Sequence, residues 1–152
     1  MANPEHVEIL RQGVEAWNLW RAQNGRTAPD LKGVDISGLN LSGGLAHGVN
    51  LAFANLREAI LESTLLEGAN LTMAQLEGAN LTEADLLGAD LSGAWLTGAN
   101  VSGARLIAAH LDRAKLDGAN LGDVTPGWTT FGDNDLSKFV GLGTAKYDGP
   151  SS

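Results

Sequence analysis

Between Ala69 and Leu91 the chain reads ANLTMAQLEGANLTEADLLGADL, with a leucine at every fifth residue: Leu71, Leu76, Leu81, Leu86 and Leu91. An alanine stands two residues before each of them, and Asn or Asp commonly separates the pair, as in Ala69-Asn70-Leu71 and Ala89-Asp90-Leu91. A buried helical stripe needs apolar residues every three to four positions, and a half-buried strand needs them at every second. A spacing of five satisfies neither for more than a few residues, so the backbone has to turn once per unit.

The same phase extends in both directions. Every fifth residue from Leu31 to Leu121 is a bulky aliphatic, with Ala46 the exception, and the alanine two places earlier is unbroken from Ala69 to Ala119. The repeat covers residues 29–123, nineteen units and 95 of the 152 residues. These units, Ala, then Asn or Asp, then Leu, then two variable residues, resemble the pentapeptide-repeat family. The resemblance implies an all-β repeat fold, a right-handed quadrilateral β-helix with four pentapeptides per coil and the Leu and Ala side chains pointing inward. Such a tube admits only stacked Leu and a small neighbour, in keeping with 5% aromatic residues beside 43% hydrophobic ones.

If each corner is a β-turn whose two central residues follow the Leu, a type II turn places the second of them at positive φ, where glycine is favoured. Eleven of the nineteen units have glycine in that slot, among them Gly33, Gly68, Gly88 and Gly118. Phe53, Glu58, Ser63, Met73 and Glu83 occupy the same slot. Their β-carbons lead to the expectation of another turn, so that turn type would vary by face and coil.

A β-helix exposes backbone donors and acceptors at both ends, and each end needs a cover. Residues 1–28 read as an N-terminal capping helix and linker. Asn3 is an N-cap followed by Pro4, and Val7, Leu10, Val14 and Trp17 form an apolar stripe in one helix expected to run to about Gln23. Beyond Asp123 the motif is interrupted at Val124-Thr125-Pro126-Gly127-Trp128, while Phe131 and Leu136 keep the phase. Residues 124–142 are expected to form two or three degenerate units and a C-terminal cap with Phe139, Val140 and Leu142. The rival there is a short helix over 135–140, and 143–152 reads as a flexible tail.

The 18 acidic and 10 basic residues give a net charge of −8. Phosphate recognition needs a basic footprint, so direct binding to nucleic acid or an anionic membrane is disfavoured, and basic or neutral partners fit better. There is no cysteine, which excludes a disulfide framework and thiolate metal sites. The start of the chain carries Glu5, His6 and Glu8 where an export signal needs basic and then apolar residues. With no apolar run long enough to span a membrane, the expected location is the cytoplasm.

No catalytic, cofactor or metal constellation is readable. His6, His47 and His110 show no ligand spacing. The Ser and Thr residues that follow many of the leucines are turn residues without a histidine base, and the glycines do not join a strand to a helix N-terminus as a phosphate cradle requires. A filled tube offers no concave polar pocket, so the chain reads as a non-enzyme without a cofactor.

Four units per coil bring residues twenty apart to about 4.8 Å. His47 with Glu67, Arg57 with Glu77, Asp85 with Arg105 and Asp90 with His110 then stack as surface pairs worth about 0–1 kcal/mol each. Trp95 lies beneath Lys115, as a cation–π pair or a contact anchor. Columns of Asn, such as Asn80, Asn100 and Asn120, can hydrogen-bond along the tube. One face carries Leu45, Leu65, Leu87 and Ile107 outward, with Phe53 and Met73 at neighbouring corners and Ile60 on the preceding face. Monomers rarely expose a contiguous apolar patch without reason. These residues and Trp95 are the candidate surface for an unknown protein partner or a homodimer; cover by the N-terminal helix or the tail is the plainer account.

Two functions are weighed. One is a non-enzymatic structural scaffold mediating protein–protein interaction. The other, implied by resemblance to the pentapeptide proteins linked to quinolone resistance, is a DNA-mimicking inhibitor or protector of DNA gyrase. About five coils make a rod about 24 Å long, a length over which duplex DNA carries about 14 charges. The repeat carries 12 acids and 5 bases, a net of −7. Charge at about half the density of DNA, interrupted by Arg and Lys, favours the scaffold.

Overall fold

The computed structural model describes residues 1–134. Within them the five-residue unit becomes a coil. Asp30, Asp35, Asn40 and Leu45 each form a parallel bridge with the residue twenty positions on, and bridges recur at every fifth residue as far as His110, which pairs with Thr130. Four bridges per twenty residues make a four-sided tube. The faces are numbered here by their first bridged residue: first face Asp30, second Asp35, third Asn40, fourth Leu45.

The interior is filled. Every aliphatic of the phase from Leu51 to Leu121 is buried, as is every alanine of the preceding small position from Ala54 to Ala119. Thr64 stands in that small position too, and it hides its hydroxyl by donating to the Leu41 carbonyl at 2.9 Å, which removes the cost of an unpaired buried polar group.

The corners are uniform, which corrects the expectation of varied turns. Every fifth residue from Gly33 to Asp133 has φ between 53° and 69°, including Phe53, Glu58, Ser63, Met73 and Glu83. The turns close by bonds such as Val34 N–H to the Leu31 carbonyl at 3.0 Å. The corner residue is also a rung of the ladder: Phe53 N–H donates to Thr72 and Glu83 N–H to Ser102, each at 2.9 Å. Leaving the left-handed region would break that rung and misplace every later coil. The strain of an L-residue there, about 1–2 kcal/mol, is the smaller cost.

At the N-terminus two helices stand where one was expected: α1, Pro4–Arg11, and α2, Val14–Gln23. The break is Gly13, at φ 109°, a conformation that L side chains rarely adopt. Asn3 caps α1 by accepting the Glu5 N–H at 3.0 Å. The bend lets Leu10 of α1 and Trp17 of α2 both reach the mouth of the tube. They line a cavity of about 20 Å³ there with Leu31, Ile36, Leu41 and Ala46. Ala46, the one small residue of the aliphatic phase, sits where the indole enters.

The two helices complete the first coil in place of a preceding one. Asp30 N–H donates to His6 Nδ1 at 3.0 Å, and the Asp30 carbonyl accepts the Asn3 N–H at 2.8 Å. On the fourth face, Leu45 N–H donates to Asn18 Oδ1 at 2.7 Å, while its carbonyl accepts Trp17 Nε1–H at 2.9 Å. In later coils backbone groups do this work, as when Asp85 N–H donates to Thr64 and the Asp85 carbonyl accepts from Leu66. The cap thus serves the first and fourth faces.

The interruption after Asp123 keeps the repeat. Thr125 pairs with Arg105, Val124 and Pro126 are buried, and Phe131 packs against the core. Two degenerate units are therefore present. The third unit, the alternative helix over 135–140, the capping role of Phe139, Val140 and Leu142, and the 143–152 tail lie outside the described residues. Among the described residues, no helix is long and apolar enough to cross a membrane.

Candidate interaction face

Because the inside of the tube is nearly the same in every coil, chemical individuality lies on its outside. Each face displays two columns, one of bridged residues and one of residues two positions later. Both columns are held at ladder spacing.

The fourth face displays Leu45, Leu65, Asp85, Arg105 and Thr125 in its first column, and His47, Glu67, Leu87, Ile107 and Gly127 in its second. Leu45, Leu65, Leu87 and Ile107 are half-buried rather than open to water. Ladder neighbours cover part of each: the Ile107 side chain lies against Gly127, 3.6 Å from where a β-carbon there would stand. Leu45 also lies at the edge to which α2 docks.

The expected patch is not continuous. Phe53 and Met73 are exposed, but they stand at the corner between the first and second faces, separated from the fourth by the whole first face with Asn50 and Asn70. Lys32 Nζ lies 5.6 Å from the Phe53 ring. Ile60, 36% exposed, is on the third face, with Glu62 and Ser63 between it and Leu65. What joins the fourth face instead is Trp128, 74% exposed at its last corner beside Gly127. The signal was available, since Trp128 continues the corner phase of Gly88 and Ala108.

The expected pairs take several forms. Arg105 Nη1 lies 2.8 Å from Asp85 Oδ2, Arg57 Nη2 lies 3.0 Å from Glu77 Oε1, and His47 Nδ1 lies 3.8 Å from Glu67. Lys115 Nζ stands 3.9 Å over the Trp95 ring on the second face. Asp90 and His110 share a bridge, but the imidazole turns to Thr130 Oγ1 at 3.2 Å. The Thr130 hydroxyl donates to Asp112 Oδ2 at 2.6 Å, and Gly132 N–H reaches the other oxygen at 2.5 Å. These two bonds, the hydroxyl's first, hold the Asp112 carboxyl below its ordinary value. On the third face Asn120 donates to Asn100 at 3.1 Å, and Asn100 to Thr82 at 2.9 Å.

Among these groups the hydroxyl that lies beside an imidazole, Thr130 next to His110, gives its proton to Asp112 Oδ2. Among the described residues, no group of three or more His, Asp or Glu side chains could hold a metal ion.

Comparison with protein families finds a match to the pentapeptide repeats over residues 47–83 and 84–123, more than half of the chain. Among solved structures the chain is similar to a pentapeptide repeat protein of the Arabidopsis thaliana thylakoid lumen. The identity is 35% and the TM-score 0.60, over 62% of this chain and 66% of that one. It is similar at 30% identity to Rfr23 of the cyanobacterium Cyanothece 51142, over 75% of this chain and 97% of that one, with a TM-score of 0.41. QnrB1, a plasmid-mediated fluoroquinolone resistance protein, shares the fold at 19% identity and a TM-score of 0.56, over 80% of this chain and 59% of that one. The chain thus spans about two thirds of the plant protein's length and less of that of QnrB1. Among curated proteins, no sequence matches.

Proposed function

We propose that this chain, which belongs to the pentapeptide-repeat family, works as a non-enzymatic scaffold that displays fixed columns of side chains to another protein. The observation that carries this reading is the fourth face, where half-buried Leu65, Leu87 and Ile107 lead to an exposed Trp128. Aromatic residues enrich the anchoring centres of protein contacts, and apolar side chains carried along one face of a solvated tube favour cover by a partner. A net charge of −8 directs the rest of the surface towards basic or neutral partners and away from nucleic acid.

The test is affinity capture with the native chain against a variant carrying Ser at Leu45, Leu65, Leu87 and Ile107, each first checked for an unchanged circular dichroism spectrum. Loss of a specific bound protein with the variant supports the reading. Equal capture by both removes the fourth face from it. A supercoiling assay with gyrase and a fluoroquinolone is run beside it, and inhibition or drug protection by this chain at micromolar concentration would replace the scaffold with the gyrase reading.

A further inference from the structure

We propose that the fourth face is self-complementary and pairs two copies of this chain back to back in antiparallel orientation. This deepens the scaffold reading by naming a second copy as one occupant of its face. The argument rests on the order of residues in the two columns. In the third coil the face shows Asp85 and Leu87; in the fourth coil it shows Arg105 and Ile107. A two-fold axis lying in the contact plane, perpendicular to the tube and midway between these coils, reverses coil order but leaves each column facing itself. Asp85 then meets the partner copy's Arg105, and Leu87 meets its Ile107, each twice over, as an isologous contact requires.

Other arrangements fail on charge. Parallel tubes would set Asp85 against Leu87 and Arg105 against Ile107. Moving the axis onto the third coil sets Asp85 against Asp85, and onto the fourth, Arg105 against Arg105. Like charges facing each other at an interface disfavour those registers. In the favoured register Asp85 and Arg105, already 2.8 Å apart within one chain, join their counterparts in a ring of alternating charge. At the margins, Leu65 faces Thr125 and Glu67 faces Gly127. The exposed Trp128 comes to the corner at Gly68, where a β-carbon would meet nothing within 4 Å, so the smooth corner leaves room for the indole.

The contact is about 24 Å long and roughly 10 Å wide, which puts it below the area of a standard stable interface. The dimer is therefore weak and concentration-dependent, and it is sought between about 10 µM and about 1 mM, the weak end of specific association.

Sedimentation velocity over that range tests it with the full chain. The native protein is expected to pass from monomer to dimer. Arg105→Glu and Asp85→Arg, each checked by circular dichroism, should each weaken self-association at least tenfold. An equimolar mixture of the two should recover a dimer, since all facing charges are then opposite. A chain that stays monomeric throughout, a dimer indifferent to Arg105→Glu, or a mixture that does not associate would each overturn the proposal. Loss of self-association with intact capture of another protein would sink the dimer and leave the scaffold reading standing.

Discussion

The guanidinium of Arg21 donates to the carbonyl of His47 at 3.0 Å, filling the place that the Gly48, Gly68 and Gly88 N–H groups fill towards Glu67, Leu87 and Ile107 in later coils. The same side chain reaches the Leu45 carbonyl at 3.2 Å and that of Thr27 at 2.6 Å. Burial lowers its ionisation from the ordinary value, yet an arginine stays protonated throughout the working range. One charged fork thus replaces a length of β-backbone.

Replacing it should be costly. Arg21→Met keeps the aliphatic stem and takes away the side-chain donor of the His47 and Thr27 carbonyls, while the Leu45 carbonyl keeps Trp17 Nε1–H, so a loss of about 1–3 kcal/mol is expected. Urea unfolding checks this through the midpoint, with the slope unchanged. A variant as stable as the native chain would show that water completes the first coil equally well.

Corner residues should respond in opposite directions. Glu83→Gly removes an L-residue at φ 57° and is expected to stabilise by about 0.5–1 kcal/mol, the relief of strain being partly offset by the greater freedom of glycine when unfolded. Gly98→Ala, at φ 67° with nothing within 4 Å of the new β-carbon, should destabilise by about 1 kcal/mol from backbone strain alone. Thermal melts of both separate strain from crowding, and equal shifts of one sign would refute the assignment.

Leu86 is fully buried in the middle coil. Truncation to Ala should cost about 2–5 kcal/mol, because a filled tube cannot collapse around the void. Leu86→Asp should prevent folding, since a charge would enter an interior with no partner for it. Far-UV circular dichroism reads both, and a folded Asp variant would contradict the inward placement.

Asp112 supplies a pH prediction. Its carboxyl is held below the ordinary 3.8 by the Thr130 hydroxyl and then the Gly132 N–H. A carboxyl lowered on folding adds stability that is fully present above the unfolded value and is lost as pH falls through the folded one. Thr130→Val removes the first cause and should move the Asp112 titration up towards 3.8. Carboxyl-detected NMR measures it, and an unmoved titration would assign the shift elsewhere.

The period of five, the inward Leu and Ala and three of the four stacked pairs were legible in the sequence because each follows from spacing alone; in the fourth, Asp90 and His110 share a bridge but the imidazole turns to Thr130. Two features were not. Local preference argues against Phe53 or Glu83 at positive φ, but the ladder fixes corner geometry from the coil beyond, a tertiary demand that no local window contains. The stripe of Val7, Leu10, Val14 and Trp17 crosses the break at Gly13 without losing phase, since both helices turn their apolar sides to the same mouth. The candidate face was half legible. Its columns follow from counting by twenty, whereas Phe53 and Met73 share the corner phase but stand one whole face away. Trp128 keeps the corner phase inside a stretch that lacks the Ala and Leu of the motif.

The coil of twenty residues built from units of five also governs which changes of length this chain can absorb. Deleting one residue would turn every later leucine out of the tube. Deleting five would keep the interior intact but carry each later residue onto the neighbouring face, parting Asp85 from Arg105 if the cut fell between them. Only a change of twenty preserves both the filling and the pattern shown outside. The chain therefore has two reading frames, one for folding and a coarser one for recognition, and a single unit gained or lost can rewrite the second while leaving the first untouched.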